Sequence, residues 1–310
     1  MAETYVRNSS GFQQANQIFV NVSGTYQEVN EAYANVGGTY KLVFTAFEAT
    51  SFVTLSSGTG SFTAPSNANA IHIQAAVAGG GGAVGGADYD KAGGESAGAG
   101  GGSGAYVSDK IFSITGGENI SFEIGSGGSG AGKGFNVTAG NGTTTSLQGA
   151  VTGDIFRLTG GGGSSGTGGG VQGPLRNNTA GTPGSVTHMD SSISTGTFRD
   201  SDGITKNVST NTSGPSGTFN DSGGGATGSI SGSGNCGGDN CRISGFAGAN
   251  SYNGGVTGGA GGSSSGSGTN GTPGTRGSGG GGGAAQVSGG STNGANGGDG
   301  EIVYRFLKIL

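Results

Sequence analysis

Gly259 to Gly283 reads GAGGSSSGSGTNGTPGTRGSGGGGG, with glycine at positions 259, 262, 268, 271, 274, 277, 280 and 283 and one lapse at Ser265. A flexible linker needs no such phase. Three residues is the repeat of the extended, left-handed polyproline II helix, which makes no hydrogen bonds within itself. Shorter runs keep the same spacing: Gly79, Gly82, Gly85; Gly98, Gly101, Gly104; Gly160, Gly163, Gly166, Gly169; and Gly294, Gly297, Gly300. With only 5 Pro and broken runs, a collagen triple helix does not fit. The phase instead predicts short extended helices packed side by side, where missing side chains let backbones approach and exchange N–H···O=C bonds. Ordering glycine costs on the order of 1–2 kcal/mol per residue, so such an array must be cooperative.

The composition points the same way. Of 310 residues 78 are Gly, against a usual ~7%, and charged residues make up 10%. Glycine costs roughly 1 kcal/mol relative to Ala inside an α-helix, and the glycine-poor stretches are rich in strand-favouring Val, Ile, Thr, Tyr and Phe. The expected fold is all-β and irregular: N-terminal β-hairpin repeats, then a glycine-rich β-domain with packed polyglycine helices and no significant α-helix. The net charge is −5 and the 13 basic residues are scattered, which leaves no stripe for nucleic-acid phosphates. Met1-Ala2-Glu3-Thr4-Tyr5 starts no signal peptide, and no segment approaches ~20 apolar residues, so membrane insertion is not expected.

Residues 1–43 carry a 14-residue repeat. Tyr5, Phe19 and Tyr33 align, as do Phe12, Tyr26 and Tyr40, with Ser9-Ser10, Ser23-Gly24 and Gly37-Gly38 between them. Alternation on both sides of a tight Ser-Gly or Gly-Gly pair predicts hairpins over Ile18–Val29 and Ala32–Val43. A second β block is expected at Ser51–Leu55, Ser61–Thr63, Ala70–Ala78, Ala105–Ser108, Ile111–Ile114 and Ile120–Ile124. In Ala70–Ala78, Ile71, Ile73, Ala75 and Val77 should share one face while His72 and Gln74 take the other. Glu301–Leu310 is strand-like again and should return to pair with this block. Two domains follow: residues 1–50 and residues 51–310.

Several segments resemble the glycine-rich domain of bacteriophage tail-fibre and tail-tip proteins, including long-tail-fibre adhesins: AIHIQAAVAGGGG (Ala70–Gly82), ITGGENISFEIGSGGSG (Ile114–Gly130), LTGGGG (Leu158–Gly163), GGGGGA (Gly279–Ala284) and GGDGEIVYRF (Gly297–Phe306). IFVNVSGTYQEVNEAYANVGGTYKLVF (Ile18–Phe44) is similar to a module common near tail-fibre domains, and a more distant likeness runs to the glycine-rich ectodomains of some animal receptor kinases. The resemblance implies a rigid glycine-helix scaffold whose loops touch a bacterial surface receptor. Long insertions at 171–222 and 229–257 depart from the pattern and are expected as recognition loops.

Other chemistry is weakly supported. Gly125 to Gly130 matches GxGxxG, and Gly127 to Lys133 the first part of a phosphate loop, but residue 134 is Gly and no helix follows to receive phosphate. His72 and His188 lie in no triad or metal-ligand spacing. Asp200-Ser201-Asp202-Gly203 opens like a calcium loop that Ile204 to Asn207 do not continue. Neither metal nor cofactor is expected. Cys236 and Cys241 suit either a disulfide staple or two free thiols. Tyr89, Arg176, His188, Phe198, Arg199, Phe219, Phe246 and Tyr252 stand among small polar residues, as either receptor anchors or local packing.

The leading expectation is a non-enzymatic adhesin of a phage tail fibre or tail tip, made in the host cytoplasm and carried on the virion. Its partners would be other tail or fibre proteins and an outer-membrane protein or glycan, with a homotrimer or a cap on a trimeric fibre as candidate assemblies. The alternative is a capsid or tail decoration protein without receptor binding. Ice binding would want flat, regular Thr arrays, which the irregular insertions oppose.

Overall fold

The computed structural model describes residues 5–8, 11–14, 19–29, 31–45, 49–85, 98–132, 137–165, 179–200, 205–208, 242–243, 247–250, 258–260, 269–283, 285–286 and 292–309. Among them the fold is all-β with antiparallel sheets and no α-helix. The repeats form three hairpins: β1 (Tyr5–Asn8) with β2 (Gly11–Gln14), β3 (Phe19–Val22) with β4 (Thr25–Glu28), and β5 (Glu31–Val36) with β6 (Thr39–Thr45). Ser23 and Gly24 have φ of 55° and 89°, Gly37 and Gly38 of 60° and 84°, which are type I′ turns matched to strand twist. Asn21 Oδ1 accepts from the Gly24 amide at 2.8 Å and Asn35 Oδ1 from the Gly38 amide at 2.9 Å, the same position in successive repeats.

Within 49–309 the described strands build a two-layer sandwich. β7 (Val53–Leu55), β8 (Thr59–Thr63), β9 (Ala70–Val77), β10 (Tyr106–Ser113), β11 (Asn119–Glu123), β12 (Thr145–Gly149), β13 (Gly153–Leu158) and β14 (Val186–Met189) are joined by a small hairpin of β15 (Thr197–Arg199) and β16 (Thr205–Asn207), the short pair β17 (Arg242–Ile243) and β18 (Ala285–Gln286), and β19 (Glu301–Leu307). One sheet runs β10-β9-β19-β7 and the other β14-β13-β12-β11-β8. Their inner faces enclose one core of Ile71, Ile73, Phe112, Ile120, Leu147, Ile155, Phe156, Leu158 and Ile302, worth about 1.5–3 kcal/mol per fully buried side chain. Phe62 stacks on Tyr304 across the layers at 4.6 Å. β19 pairs with both β9 and β7, so the predicted return of Glu301 onwards is found.

The predicted face of β9 needs correction. Ile71 and Ile73 face the core as expected, but the register with β19 shifts at Gln74, and beyond it Ala76 rather than Ala75 faces the core. An extra residue in one strand inverts every side chain that follows.

The strands do not stop where the sheets stop. β9 runs on into residues 78–84, β11 into 125–131 and β13 into 159–165, while 98–105, 139–143, 179–185 and 292–300 lead into β10, β12, β14 and β19. Extended and polyproline II backbones are neighbours in dihedral space, so the change is small locally. Its effect on pairing is large. The amides of residues 78 to 84 donate in turn to Ala105, Thr143, Gly298, Gly102, Gly140, Ala295 and Ala99. The acceptors rotate among three neighbours with period three. The carbonyls of Gly79 to Val84 accept in turn from Gly161, Gly128, Gly280, Ser164, Ala131 and Gly283, which adds three more. Residues 78–84 are therefore the axis of six surrounding segments.

Those six segments also bond to one another and close a ring. Residues 98–105 bond to 159–165 (Gly102 to Gly162), which bond to 139–143 (Gly142 to Gly161), which bond to 125–131 (Gly140 to Ser129). The ring continues through 292–300 (Gly297 to Gly128) and 277–283 (Gly298 to Ser278), and back to 98–105 (Gly101 to Gly280). Residues 277–283 form a second axis, ringed by 78–84, 98–105, 247–250, 258–260, 271–275 and 292–300. Glycine is required by the spacing: a Cβ at Gly81 would overlap the Gly162 carbonyl, whose carbon lies 2.5 Å away.

Candidate functional site

Antiparallel neighbours in the lattice decide where the connections fall. Residues 78–84, 125–131, 159–165 and 277–283 run in one direction, and for the first three that is away from the sandwich; 98–105, 139–143, 179–185 and 292–300 run back towards it. Segments 86–97, 133–136, 166–178 and 284–291 thus join lattice ends that all lie on the side remote from the sandwich. A small plug of Val84, Ala99 and Ala139, with Ala131 packed against it, closes this end. Ser164 Oγ accepts from the Val84 amide at 2.9 Å and donates to the Ala99 carbonyl at 2.8 Å, so the plug is tied from inside. Thr138, Ser165 and Thr179 are bridged beside it. The result is a stiff rim from which several connections leave together.

Of the predicted site residues, His188, Phe198 and Arg199 lie among the described residues. Tyr89 belongs to a connection leaving the remote rim at Gly85 and returning at Gly98, and Arg176 to one leaving at Ser165 and returning at Thr179. Both themselves lie outside the described residues, as do Phe219, Phe246, Tyr252, Cys236 and Cys241. His188 is on β14, exposed, and its Nε2–H donates to the Asp154 carbonyl at 2.8 Å. Phe198, on β15, is 6% exposed and packs with Ala49, Ala70, Val208 and Leu307, so its ring serves local packing. Arg199 pairs with Thr205 through the backbone. The structure thus places His188, Phe198 and Arg199 at the sandwich, apart from the rim.

The segment 171–222 is also divided. Residues 179–185 belong to the lattice, 186–189 to the five-stranded sheet, and 190–193 cross to β10, where the Ile193 amide bonds to Ile111. Residues 247–250, inside the expected insertion 229–257, are likewise lattice.

A polar cluster that the sequence reading missed lies on the outer face of the four-stranded sheet. Arg305 Nη1 donates to Asp200 Oδ1 at 2.6 Å, Lys206 also pairs with Asp200, and Arg305 Nε donates to His72 Nδ1 at 3.2 Å. His72 Nε2 in turn donates to Asp109 Oδ1 at 2.8 Å, so the ring is neutral with its proton on Nε2. The guanidinium lies over the rings of Phe52 and Phe198, 4.6 and 5.4 Å from their centroids. Burial lowers the His72 pKa, with the Arg305 charge adding to it and Asp109 and Asp200 opposing. The cluster holds the β15–β16 hairpin on the sheet. Its partners are 233 and 105 residues apart in sequence, beyond the reach of any local motif.

Rival chemistries lose their groups to the fold. The amides of Gly125, Ser126, Gly127, Gly128 and Gly130 all donate within the protein, which takes five of the six donors of the GxGxxG match from any phosphate. The Asp200 carboxylate that opened the calcium-like pattern is taken by Arg305 and Lys206. Among the described residues no group of three or more His, Cys, Asp or Glu is placed to hold a metal ion.

A comparison with curated proteins found no match. A family model described as a glycine-rich domain matches residues 54–307, from β7 to the last residue of β19. Sandwich and lattice both fall within that match, and the chain belongs to the glycine-rich domain family.

Proposed function

We propose that this protein is a non-enzymatic adhesin of a bacteriophage tail fibre or tail tip, binding a bacterial outer-membrane protein or glycan through connections presented on the remote rim of the lattice. The observation that carries the reading is the convergence of connections 86–97, 133–136, 166–178 and 284–291 on one end of a hydrogen-bonded array. A surface presented on a rigid base binds at low entropic cost, because the base is ordered before the partner arrives. The motif resemblance supplies the virion context, with residues 1–50 as the attachment module to another tail or fibre protein.

The test is a virion whose copy of this chain has 86–97 and 166–178 replaced by short Gly-Ser linkers, sparing the lattice residues on either side. Adsorption to the host should fall at least about tenfold, equivalent to about 1.4 kcal/mol of binding, while particle yield stays at the parental level. Normal adsorption with fewer or unstable particles would replace the adhesin by a decoration protein.

A further inference from the structure

At the edge of the lattice an outward N–H has no neighbouring carbonyl, and a buried or half-buried amide must find another acceptor. Asx side chains supply it. Asn296 Oδ1 accepts from the Gly130 amide at 2.7 Å, Asp299 Oδ1 from Gly127 at 2.8 Å, Asn141 Oδ1 from Gly163 at 2.8 Å and Asn270 Oδ1 from Asn293 at 2.7 Å. Each of these rungs is followed by glycine: Asn141-Gly142, Asn270-Gly271, Asn296-Gly297 and Asp299-Gly300, with Asn293-Gly294 on the same segment.

Asn-Gly is the dipeptide in which the following amide nitrogen reaches the side-chain carbonyl most readily, since glycine puts no side chain in the way and leaves the backbone free to turn. Here both reactants are occupied. The Gly142, Gly271, Gly294, Gly297 and Gly300 amides donate to Gly161, Asn293, Ala131, Gly128 and Gly125 at 2.8, 3.1, 3.0, 2.9 and 2.7 Å. Four of the five side chains are held on the neighbouring segment by the bonds above. The extended backbone also points the following nitrogen away from its own side-chain carbon.

We propose that these Asx-Gly rungs are latent sites of spontaneous modification, held inert by the closed lattice and released when it opens. In the open chain the glycine nitrogen, losing its proton, bonds to Cγ; the Cγ–NH2 bond breaks and ammonia leaves, giving a cyclic imide. Water then opens either carbonyl. One product is aspartate; the other is isoaspartate, in which the chain runs through the side chain. At Asp299 the leaving group is water rather than ammonia. Aspartate keeps the oxygen that a rung needs, as Asp299 itself does. Isoaspartate inserts a methylene into the backbone and throws all later residues of the segment out of the three-residue phase. Opening therefore becomes irreversible wherever isoaspartate forms.

The experiment keeps the full chain at mildly alkaline pH in buffer and, in parallel, in denaturant, and follows each peptide by mass spectrometry with enzymatic methylation to count isoaspartate. Asn141, Asn270, Asn293 and Asn296 should react at least about tenfold more slowly in the native chain, the factor set by about 1.4 kcal/mol of opening free energy. Equal rates in the two conditions would overturn the proposal. In a second arm, chains heated to opening and cooled are separated by isoaspartate content. The modified fraction should fail to regain amide protection in residues 125–131 and 292–300; full recovery by that fraction would refute the loss of phase.

Discussion

Replacing Gly81 by Ala probes the lattice at its axis. The new Cβ would lie 2.5 Å from the Gly162 carbonyl carbon, whereas unstrained carbon contacts need about 3.5 Å, so the two segments must separate by roughly 1 Å. Neither can yield as a flexible side chain would, because the obstacle is backbone. The bonds at risk are those that join the two segments, Gly161 to Gly79 at 2.8 Å and Ser164 to Gly82 at 3.1 Å, and an added ångström takes either of them out of range. Losing two, each leaving buried groups unpaired at about 1–3 kcal/mol, puts the cost at about 2–6 kcal/mol. For a domain of this size that lowers the melting temperature by about 10 °C. Gly132→Ala is the control: the only atom near its Cβ is Asn293 Oδ1 at 3.5 Å, and loss of unfolded-state freedom should leave it neutral or stabilised by about 0.4–1 kcal/mol. Calorimetry of the three proteins provides the readout. Melting of Gly81→Ala within about 2 °C of the parent would refute the reasoning, because the lattice would then tolerate side chains at its centre.

Two further outcomes follow from the buried polar groups. Burial raises the Glu118 pKa, but hydrogen bonds from Thr152, Thr115 and Val151 outweigh it and leave the carboxyl below its usual range. Its stabilisation is thus present above the unfolded carboxylate value of about 4.3 and is lost as pH falls through the lower folded value. Glu118→Gln should cost about 1–3 kcal/mol at pH 7 in urea unfolding, and the gap should narrow as pH falls below the ordinary carboxylate value. His72 titrates below its unfolded value of about 6.5, so its contribution is complete above that pH and is lost as pH falls from there towards the folded value. Once protonated, Nδ1 would face the Arg305 N–H as a second donor instead of accepting from it. Amide protection in β15 and β16, taken relative to intrinsic exchange at each pH, should fall as pH drops below about 6.5 in the parent, and should be low on both sides of that pH in Arg305→Leu.

Much of this architecture can be read before the structure, and the reason is the lattice period. Gly98, Gly101 and Gly104 all donate to the 277–283 segment, and Gly294, Gly297 and Gly300 all donate to 125–131, so each phased run is a row aimed at one neighbour. The type I′ turns at Ser23-Gly24 and Gly37-Gly38 are equally local. Which row meets which is not local: Gly80 finds Gly298, and only closure of both rings selects that pairing. β14 and residues 179–185 were concealed because Thr182-Pro183-Gly184 reads as loop, although 181 and 184 keep the glycine spacing. The bulge at Gln74 leaves no mark on the alternation of β9. The Asx-Gly pairs did leave one, since Asn293, Asn296 and Asp299 repeat the same phase.

The order of synthesis opposes the order of packing. Residues 78–84 emerge early, but two of their seven amide acceptors belong to 292–300 and two of the donors to their carbonyls to 277–283, so the axis waits, unsatisfied, for roughly 200 further residues. Contacts so distant in sequence make closure slow and late. The sandwich waits as well, because β19 lies between β7 and β9. Synthesis thus runs ahead of packing: axis and sandwich close only once residues 277–307 have been made, in one late cooperative step.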